Sequence, residues 1–244
     1  MPLPGISLER VSVDLSRRSR ELCCEITTRC SLECCVCFAS ATPADAIDLS
    51  VADFLRAVAL SRSSLMRLTF TGGEPTLSPH FARFLLEARR HGVPYVLSTA
   101  GAPPTLVDRY LMHHPPSAVY VSLHGLQTTH DGFTRRVGSF KKAVQLCKAL
   151  VAAGIPVHIL TTCAEEVARD LVPLSHFLRG LRIEEHRLNL IKNRGRLDSS
   201  PADPDAVLSL ALSMRSNLRT TVKSADQPFQ MLLASGVLEA RHGR

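Results

Sequence analysis

Thr28-Arg29-Cys30-Ser31-Leu32-Glu33-Cys34-Cys35-Val36-Cys37-Phe38 is the stretch from which the rest of the chain can be read. Cys30, Cys34 and Cys37 stand in the spacing C-x3-C-x2-C. Three thiolates so close in sequence converge on one soft metal centre only if the backbone between them closes into a compact loop. The short polar insert Ser31-Leu32-Glu33 permits that closure. A closed structural zinc site takes four protein ligands, whereas an iron-sulfur cube held by three cysteines leaves one iron open to a small molecule. Cys35 reads as a buried thiol, because adjacent cysteines point apart on an extended chain.

The rest of the chain suits such a centre. Its 244 residues are enough for one sizeable core and too many for a disulfide-stapled miniature, so one domain is expected. Six of the eight cysteines crowd between Cys23 and Cys37, which fits metal chemistry in a reducing compartment better than disulfides. There is no run of about eighteen apolar residues, and Met1-Pro2-Leu3-Pro4-Gly5 lacks the regions of a signal peptide, so a cytoplasmic protein without a membrane span is expected. The formal net charge of +7 favours an anionic partner such as an acidic peptide or a nucleic acid. The basic residues are scattered, however, with no basic stripe interleaved with aromatics, so most read as solvated surface and nucleic acid is not the expected partner.

From Glu21 onward strand-like runs alternate with helix-like ones, the pattern of a parallel sheet built from right-handed βα units. Six strands are predicted, around Cys23 to Thr28, Met66 to Thr71, Tyr95 to Thr99, Ala118 to His124, Pro156 to Thr162 and Arg187 to Lys192. Val51, Phe54, Leu55 and Val58 fall at helical spacing, as do Phe81, Phe84, Leu85 and Ala88, and Phe140, Ala143, Val144 and Cys147. Gly92 and Gly154 stand where left-handed caps end the second and third of these helices. Six units fall short of the eight that close a barrel, so the fold class expected is α/β: an open, partial (β/α)6 barrel of parallel strands with C-terminal helices. The divisions are a lead-in over 1–20 with a short edge strand around Leu8 to Leu15, the barrel over 21–196, and an extension over 197–244 with helical stretches near Pro204 to Asn217 and Pro228 to Arg241.

The second strand runs into Thr71-Gly72-Gly73-Glu74-Pro75, where two glycines let the backbone approach a ligand and a carboxylate stands ready to accept from an ammonium group. By itself this is an ordinary βα turn. One βα unit after a three-cysteine loop, it resembles the GGE motif of the radical SAM superfamily, and C-x3-C-x2-C is that family's cysteine spacing. Leu97-Ser98-Thr99-Ala100-Gly101 resembles the family's T-N-G turn with Ala100 in place of Asn, and Val36 stands where many members carry an aromatic residue. His130-Asp131-Gly132-Phe133-Thr134-Arg135 followed by Gly138-Ser139-Phe140 resembles the branch with peptide-modifying and sulfatase-maturing enzymes. In isolation His130 and Asp131 are compatible with a metal or acid-base pair, but a loop hydrogen bond that fixes the turn is the expectation, and Ser139 reads as a helix N-cap. His124, His158 and Asn189 either line the interior and meet the substrate or are satisfied core polar groups, the second being the expectation for any one of them, and Cys147 reads as core.

The resemblance covers roughly Glu21 to Arg196. It implies a [4Fe-4S] cluster on Cys30, Cys34 and Cys37, with S-adenosylmethionine held by Gly72, Gly73, Glu74 and Pro75 and by Ser122 and Arg135, Arg136 being an equally placed rival. It implies reductive cleavage of the cofactor to a 5'-deoxyadenosyl radical with electrons from a flavodoxin or ferredoxin. The radical then takes a hydrogen atom from a substrate, preferably a peptide or protein side chain, with a small metabolite or an RNA nucleotide as alternatives. No cysteine follows Cys163, so a single cluster is expected, without the auxiliary clusters of many relatives. The rival readings are a zinc-binding module using Cys24 or Cys35 as fourth ligand, and a family member that keeps the cluster without turnover.

Overall fold

The computed structural model describes residues 11–13, 21–41, 46–61, 65–183, 185–191, 194–214 and 219–223. In chain order, β1 (Val11–Val13) and β2 (Glu21–Thr27) are followed by the cysteine loop, which contains β3 (Val36–Cys37). Then come α1 (Val51–Ser61), β4 (Arg67–Gly72), a 3-10 turn at Pro75–Leu77, α2 (Phe81–Arg90) and β5 (Tyr95–Thr99). A π turn at Val107–Leu111 leads to β6 (Ala118–Ser122), α3 (Gln127–Thr134), α4 (Ser139–Ala152) and β7 (Val157–Cys163). The chain continues through α5 (Glu165–Ala168), α6 (Leu171–Gly180), β8 (Glu185–Leu190), β9 (Arg196–Leu197), α7 (Pro204–Met214) and β10 (Arg219–Lys223).

The main sheet has the order β1-β2-β4-β5-β6-β7-β8-β10. Its six central strands, β2 and β4 to β8, are the six predicted ones, and each pairs in parallel with the next. One edge matches the sequence reading and one differs from it. β1 is the short edge strand expected within Leu8 to Leu15 and pairs antiparallel with β2, whereas β10 adds a parallel strand beyond β8 in a segment read as lying between helices. The stretch Pro204 to Asn217 is helical as far as Met214, while Pro228 to Arg241 lies outside the described residues.

Each central strand sends alternate side chains to opposite faces. The outer face is apolar: Leu22, Cys24, Ile26, Leu68, Phe70, Leu97, Val119, Val121 and Ile159 are buried against the helices. Phe54 of α1 meets Phe84 of α2 edge-on at 5.0 Å, and Phe70 of β4 lies 5.5 Å from Tyr95 of β5. Burying each such side chain contributes about 1.5–3 kcal/mol. The helices stop where expected, with Gly92 at φ +63° and Gly154 at φ +70°. The amides after them reach back to the helix, Val93 to the Ala88 carbonyl and Ile155 to the Leu150 carbonyl, both at 3.0 Å.

The inner face is mixed: Val96, Ala118 and Tyr120 form a small buried apolar cluster with Leu160 against it, and many of the other positions are polar and half buried. A parallel strand packed on both faces reads as a continuous apolar run. Here β7 alternates strictly between buried and half-buried positions, and β2 does so as far as Ile26. The lumen of the open barrel therefore carries a small apolar cluster beside its polar positions.

Candidate functional site

The cysteine loop runs off the C-terminal end of β2 and is tied down on every side by backbone groups. Thr28 donates its amide to the Ile47 carbonyl at 2.9 Å, and its hydroxyl accepts the Ile47 amide at 2.8 Å. Glu33 and Cys35 donate to the Thr134 and Phe133 carbonyls at the end of α3, at 3.2 and 2.8 Å. The Asp198 amide donates to the Cys35 carbonyl at 2.8 Å, beside the short antiparallel ladder of β3 with β9.

Within this frame Cys30, Leu32 and Ala41 form a small apolar pocket with Cys34, Cys37, Ala39 and Ala100 around it. The Leu32 amide points at the Cys30 sulfur and the Ala41 amide at the Cys37 sulfur, both at 3.4 Å. Burial pushes the Cys34 thiol up to about 12 and raises that of Cys30, and in both the neighbouring cysteines of the set add to the rise. The donor set is thus three thiols in one pocket, two of them addressed by backbone amides. Among the described residues no three His, Cys, Asp or Glu side chains sit as ligands of a single ion. An iron-sulfur cube, whose cysteines bind separate irons, does not require that, and the residues fit such a cluster.

The other two cysteines named as possible fourth ligands sit elsewhere. Cys24 is 1% exposed on the outer face of β2, packed in the main core. Cys35 turns its sulfur toward the Gly132 carbonyl at 3.9 Å.

The turn after β4 presses against the start of the cysteine loop. Gly72 has φ +136°, and a Cβ built there stands 2.2 Å from the Thr27 carbonyl oxygen. One built on Gly73 stands 2.2 Å from the Arg29 carbonyl oxygen. The Gly73 amide donates to Thr27 and the Glu74 amide to Arg29, at 2.8 and 2.6 Å. No residue with a side chain allows this approach.

Glu74 is 4% exposed, and its charge adds to the rise of the Cys30 thiol. Oε2 accepts from the Ala100 amide at 2.9 Å and the Thr99 hydroxyl at 2.8 Å, and Oε1 accepts from the amide and hydroxyl of Thr76 at 3.2 and 2.7 Å. A carboxylate has about four lone-pair positions, all taken here. An ammonium group therefore meets Glu74 as a fixed negative charge, and hydrogen-bonds it only by displacing a Thr76 or Thr99 hydroxyl. Where the family turn carries Asn, Ala100 supplies its backbone amide to Glu74 and its side chain to the cysteine pocket. Pro75, also buried, opens the 3-10 turn.

Ser122 ends β6 on the lumen side, half buried, in register with Leu160. It belongs to a larger set. Glu25, Thr71, Ser98, Thr162 and Asn189 occupy lumen positions on the other central strands, all half buried and, among the described residues, engaged in no side-chain hydrogen bond. Of these only Ser122 and Asn189 stood out in the sequence; the signal for the rest is the polar member of each i, i+2 alternation. Toward the other end of the strands the lumen is closed by paired charges. Arg67 binds Glu21, and Arg187 binds Glu185 at 2.6 Å and covers the Tyr120 ring at 4.4 Å.

Arg135 does not face this lumen set. It caps α3 in the left-handed conformation at φ +53° and forms an exposed ion pair with Asp198 at 2.8 Å. Arg136 donates to the Ser31 carbonyl at 3.1 Å. His130 and Asp131 act as turn-fixing groups: His130 Nδ1 accepts the His124 amide, while Asp131 accepts the Gly138 and Phe140 amides and the Ser139 hydroxyl. His124 in turn accepts the Thr162 amide at 3.1 Å.

Residues 24–178 match the Radical SAM superfamily. The chain belongs to that superfamily, whose members use a [4Fe-4S] cluster and S-adenosylmethionine. It is 29% identical over 164 residues to Fe-coproporphyrin III synthase of Methanosarcina barkeri, covering 65% of this chain and 40% of that protein. It is 27% identical over 149 residues to the sporulation killing factor maturation protein SkfB of Bacillus subtilis, covering 60% of this chain and 36% of SkfB. The structure of SuiB of Streptococcus suis bound to precursor peptide SuiA superposes with a TM-score of 0.72 at 14% identity, over 89% of this chain and 51% of SuiB. The chain therefore spans about half the length of these relatives or less. No helix among the described residues is long and apolar enough to cross a membrane.

Proposed function

We propose that this protein is a radical SAM enzyme whose Cys30, Cys34 and Cys37 hold one [4Fe-4S] cluster and whose barrel lumen receives S-adenosylmethionine and a peptide or protein side chain. The observation that carries the reading is the pocket shared by the three cysteines, with the Gly72-Gly73-Glu74 turn pressed against it by backbone hydrogen bonds. When bound, the cluster supplies the electron that cleaves S-adenosylmethionine to a 5'-deoxyadenosyl radical, and a flavodoxin or ferredoxin is the donor class proposed to deliver it.

The chain's own residues do the remaining work. Gly72 and Gly73 let the turn lie directly on the backbone of the cysteine loop, Pro75 fixes the turn, and Glu74 places a buried negative charge next to the thiol pocket. Ser122 and the polar lumen set supply hydrogen bonds to the cofactor, while Arg135, engaged with Asp198, is left out of the cofactor set. The largely buried Arg187–Glu185 pair against Tyr120 keeps water from its part of the lumen floor, which matters because a primary radical attacks whatever lies nearest.

A peptide target is supported by the likeness to SkfB, a maturation protein, and by the structural likeness to SuiB, which was solved bound to a precursor peptide. A second reading, a tetrapyrrole side chain, is favoured by the match to Fe-coproporphyrin III synthase.

Anaerobic reconstitution with iron and sulfide tests the site. The expected result is about four irons per chain with a broad band around 400 nm, both lost in a Cys30→Ala, Cys34→Ala, Cys37→Ala triple variant. Stoichiometric zinc that iron does not displace overturns the reading. With the reduced cluster, 5'-deoxyadenosine released from S-adenosylmethionine shows turnover, and its stimulation by peptide or by a coproporphyrin separates the two substrate classes.

A further inference from the structure

The segment 194–198, which follows the last barrel strand, is pressed onto the cysteine loop. A Cβ built on Gly195, at φ +79°, lies 2.2 Å from the Cys37 carbonyl oxygen and 2.6 Å from that of Phe38. Arg196 pairs with Cys37 in the β3–β9 ladder, and its guanidinium extends along the loop. One nitrogen donates to the Cys34 carbonyl and the other to the Ala41 carbonyl, both at 3.0 Å. These two acceptors bracket the part of the loop that carries Cys34 and Cys37.

We propose that Arg196 is a positioning residue of the cluster site: its two-pronged grip on the Cys34 and Ala41 carbonyls sets the spread of the thiolates and holds the loop in its ligand-ready shape. The assignment rests on the functional reading given above. The physical argument has three parts. A loop with three cysteines and few internal hydrogen bonds has many conformations, and ordering them at the moment of cluster binding weakens the site. A planar guanidinium reaches two acceptors in a fixed fork, which a lysine ammonium on a flexible stem cannot do. A positive charge held over the loop also offsets the negative charge of three thiolates and their cluster. Arg136 on the Ser31 carbonyl restrains the other end, so the loop lies between two arginines from distant parts of the chain.

The test uses the full chain reconstituted anaerobically as wild type, Arg196→Gln and Arg196→Lys. Three readouts are taken: the rate at which a strong iron chelator strips the cluster, its midpoint potential, and the melting temperature of the cluster-free protein. Arg196→Gln is expected to release iron about tenfold faster, equivalent to one charge-assisted hydrogen bond. Its midpoint shifts to more negative potential and its cluster-free melting temperature is unchanged. Arg196→Lys restores the potential and not the release rate. Release from Arg196→Gln at the wild-type rate overturns the proposal. So does a cluster-free Arg196→Gln protein that melts well below wild type, since that makes Arg196 a residue of the general fold. A wild type that takes up no cluster at all removes the functional reading itself, and with it this inference, whereas the two earlier outcomes leave that reading standing.

Discussion

Single atoms decide much at the mouth of this barrel. Gly73 and Gly101 lie on consecutive βα turns, yet the space around them differs completely. A methyl group on Gly73 meets backbone at 2.2 Å, and one on Gly101 meets nothing within 4 Å. Backbone cannot rotate aside as a side chain does, so Gly73→Ala must push β4 away from the cysteine loop. Its expected cost is about 2 kcal/mol or more, in the range of overpacking. Gly101→Ala is expected to stay within about 0.5 kcal/mol of wild type. Urea unfolding of the two cluster-free variants checks this, and equal midpoints would show that the turn has slack the geometry denies. The glycines, cysteines and Glu74 were legible in the sequence because each is a residue type chosen for its own chemistry. Thr76, Thr99 and Arg196 were not, because a threonine or arginine gives no sign of the carboxylate or carbonyl that it serves. Arg196 finds its acceptors 162 and 155 positions away.

At the scale of elements, the six central strands and the helices with clear apolar stripes came out of hydrophobic periodicity to within about two residues. What escaped it shares one physical trait, dependence on tertiary partners. α3, Gln-Thr-Thr-His-Asp-Gly-Phe-Thr, is rich in poor helix formers and is held by the burial of Thr129, His130, Phe133 and Thr134. β9 is two residues long and exists only as the partner of β3. Buried histidines add a pH dependence to the way these elements pack. His130 joins α3 to the end of β6, and His186 of β8 meets the Thr161 hydroxyl of β7 at 2.8 Å. Burial holds each down to about 4. Both are depressed below the unfolded value of about 6.5, so the unfolded chain binds more protons between those limits. Stability therefore rises with pH from 4 to 6.5 and is flat with respect to these groups above that. Each histidine accounts for up to about 3 kcal/mol across the window. Burial also holds His124 well below its ordinary value, so three buried histidines share the slope. Unfolding free energies at pH 7, 5.5 and 4.5 are expected to fall in that order, and His186→Gln to remove roughly a third of the histidine-dependent slope. An unchanged slope in that variant means that His186 protonates freely in the folded state.

For the whole molecule, the lumen divides into two layers that do different work. The lower layer combines the apolar cluster of Val96, Ala118 and Tyr120 with charges that satisfy one another: Glu185, 6% exposed, holds Arg187, which lies over Tyr120. The upper layer consists of polar side chains with no bond to one another, toward the C-terminal ends of the strands. A folded protein keeps partnerless polar groups cheaply only where water or a ligand reaches them. The two layers should therefore respond oppositely to substitution. Arg187→Met leaves a buried carboxylate without its main counter-charge and is expected to lower stability by about 3 kcal/mol. Ser122→Ala removes a hydroxyl that supports nothing in the fold, so stability is expected to stay within about 0.5 kcal/mol while S-adenosylmethionine binding to the reconstituted protein weakens several-fold. Calorimetric titration with S-adenosylmethionine, run beside thermal unfolding, reads both quantities on the same samples. Loss of stability without loss of binding in Ser122→Ala places that hydroxyl in the fold instead of the cofactor site, and the division of the lumen into a supporting floor and a ligand-facing ring fails with it.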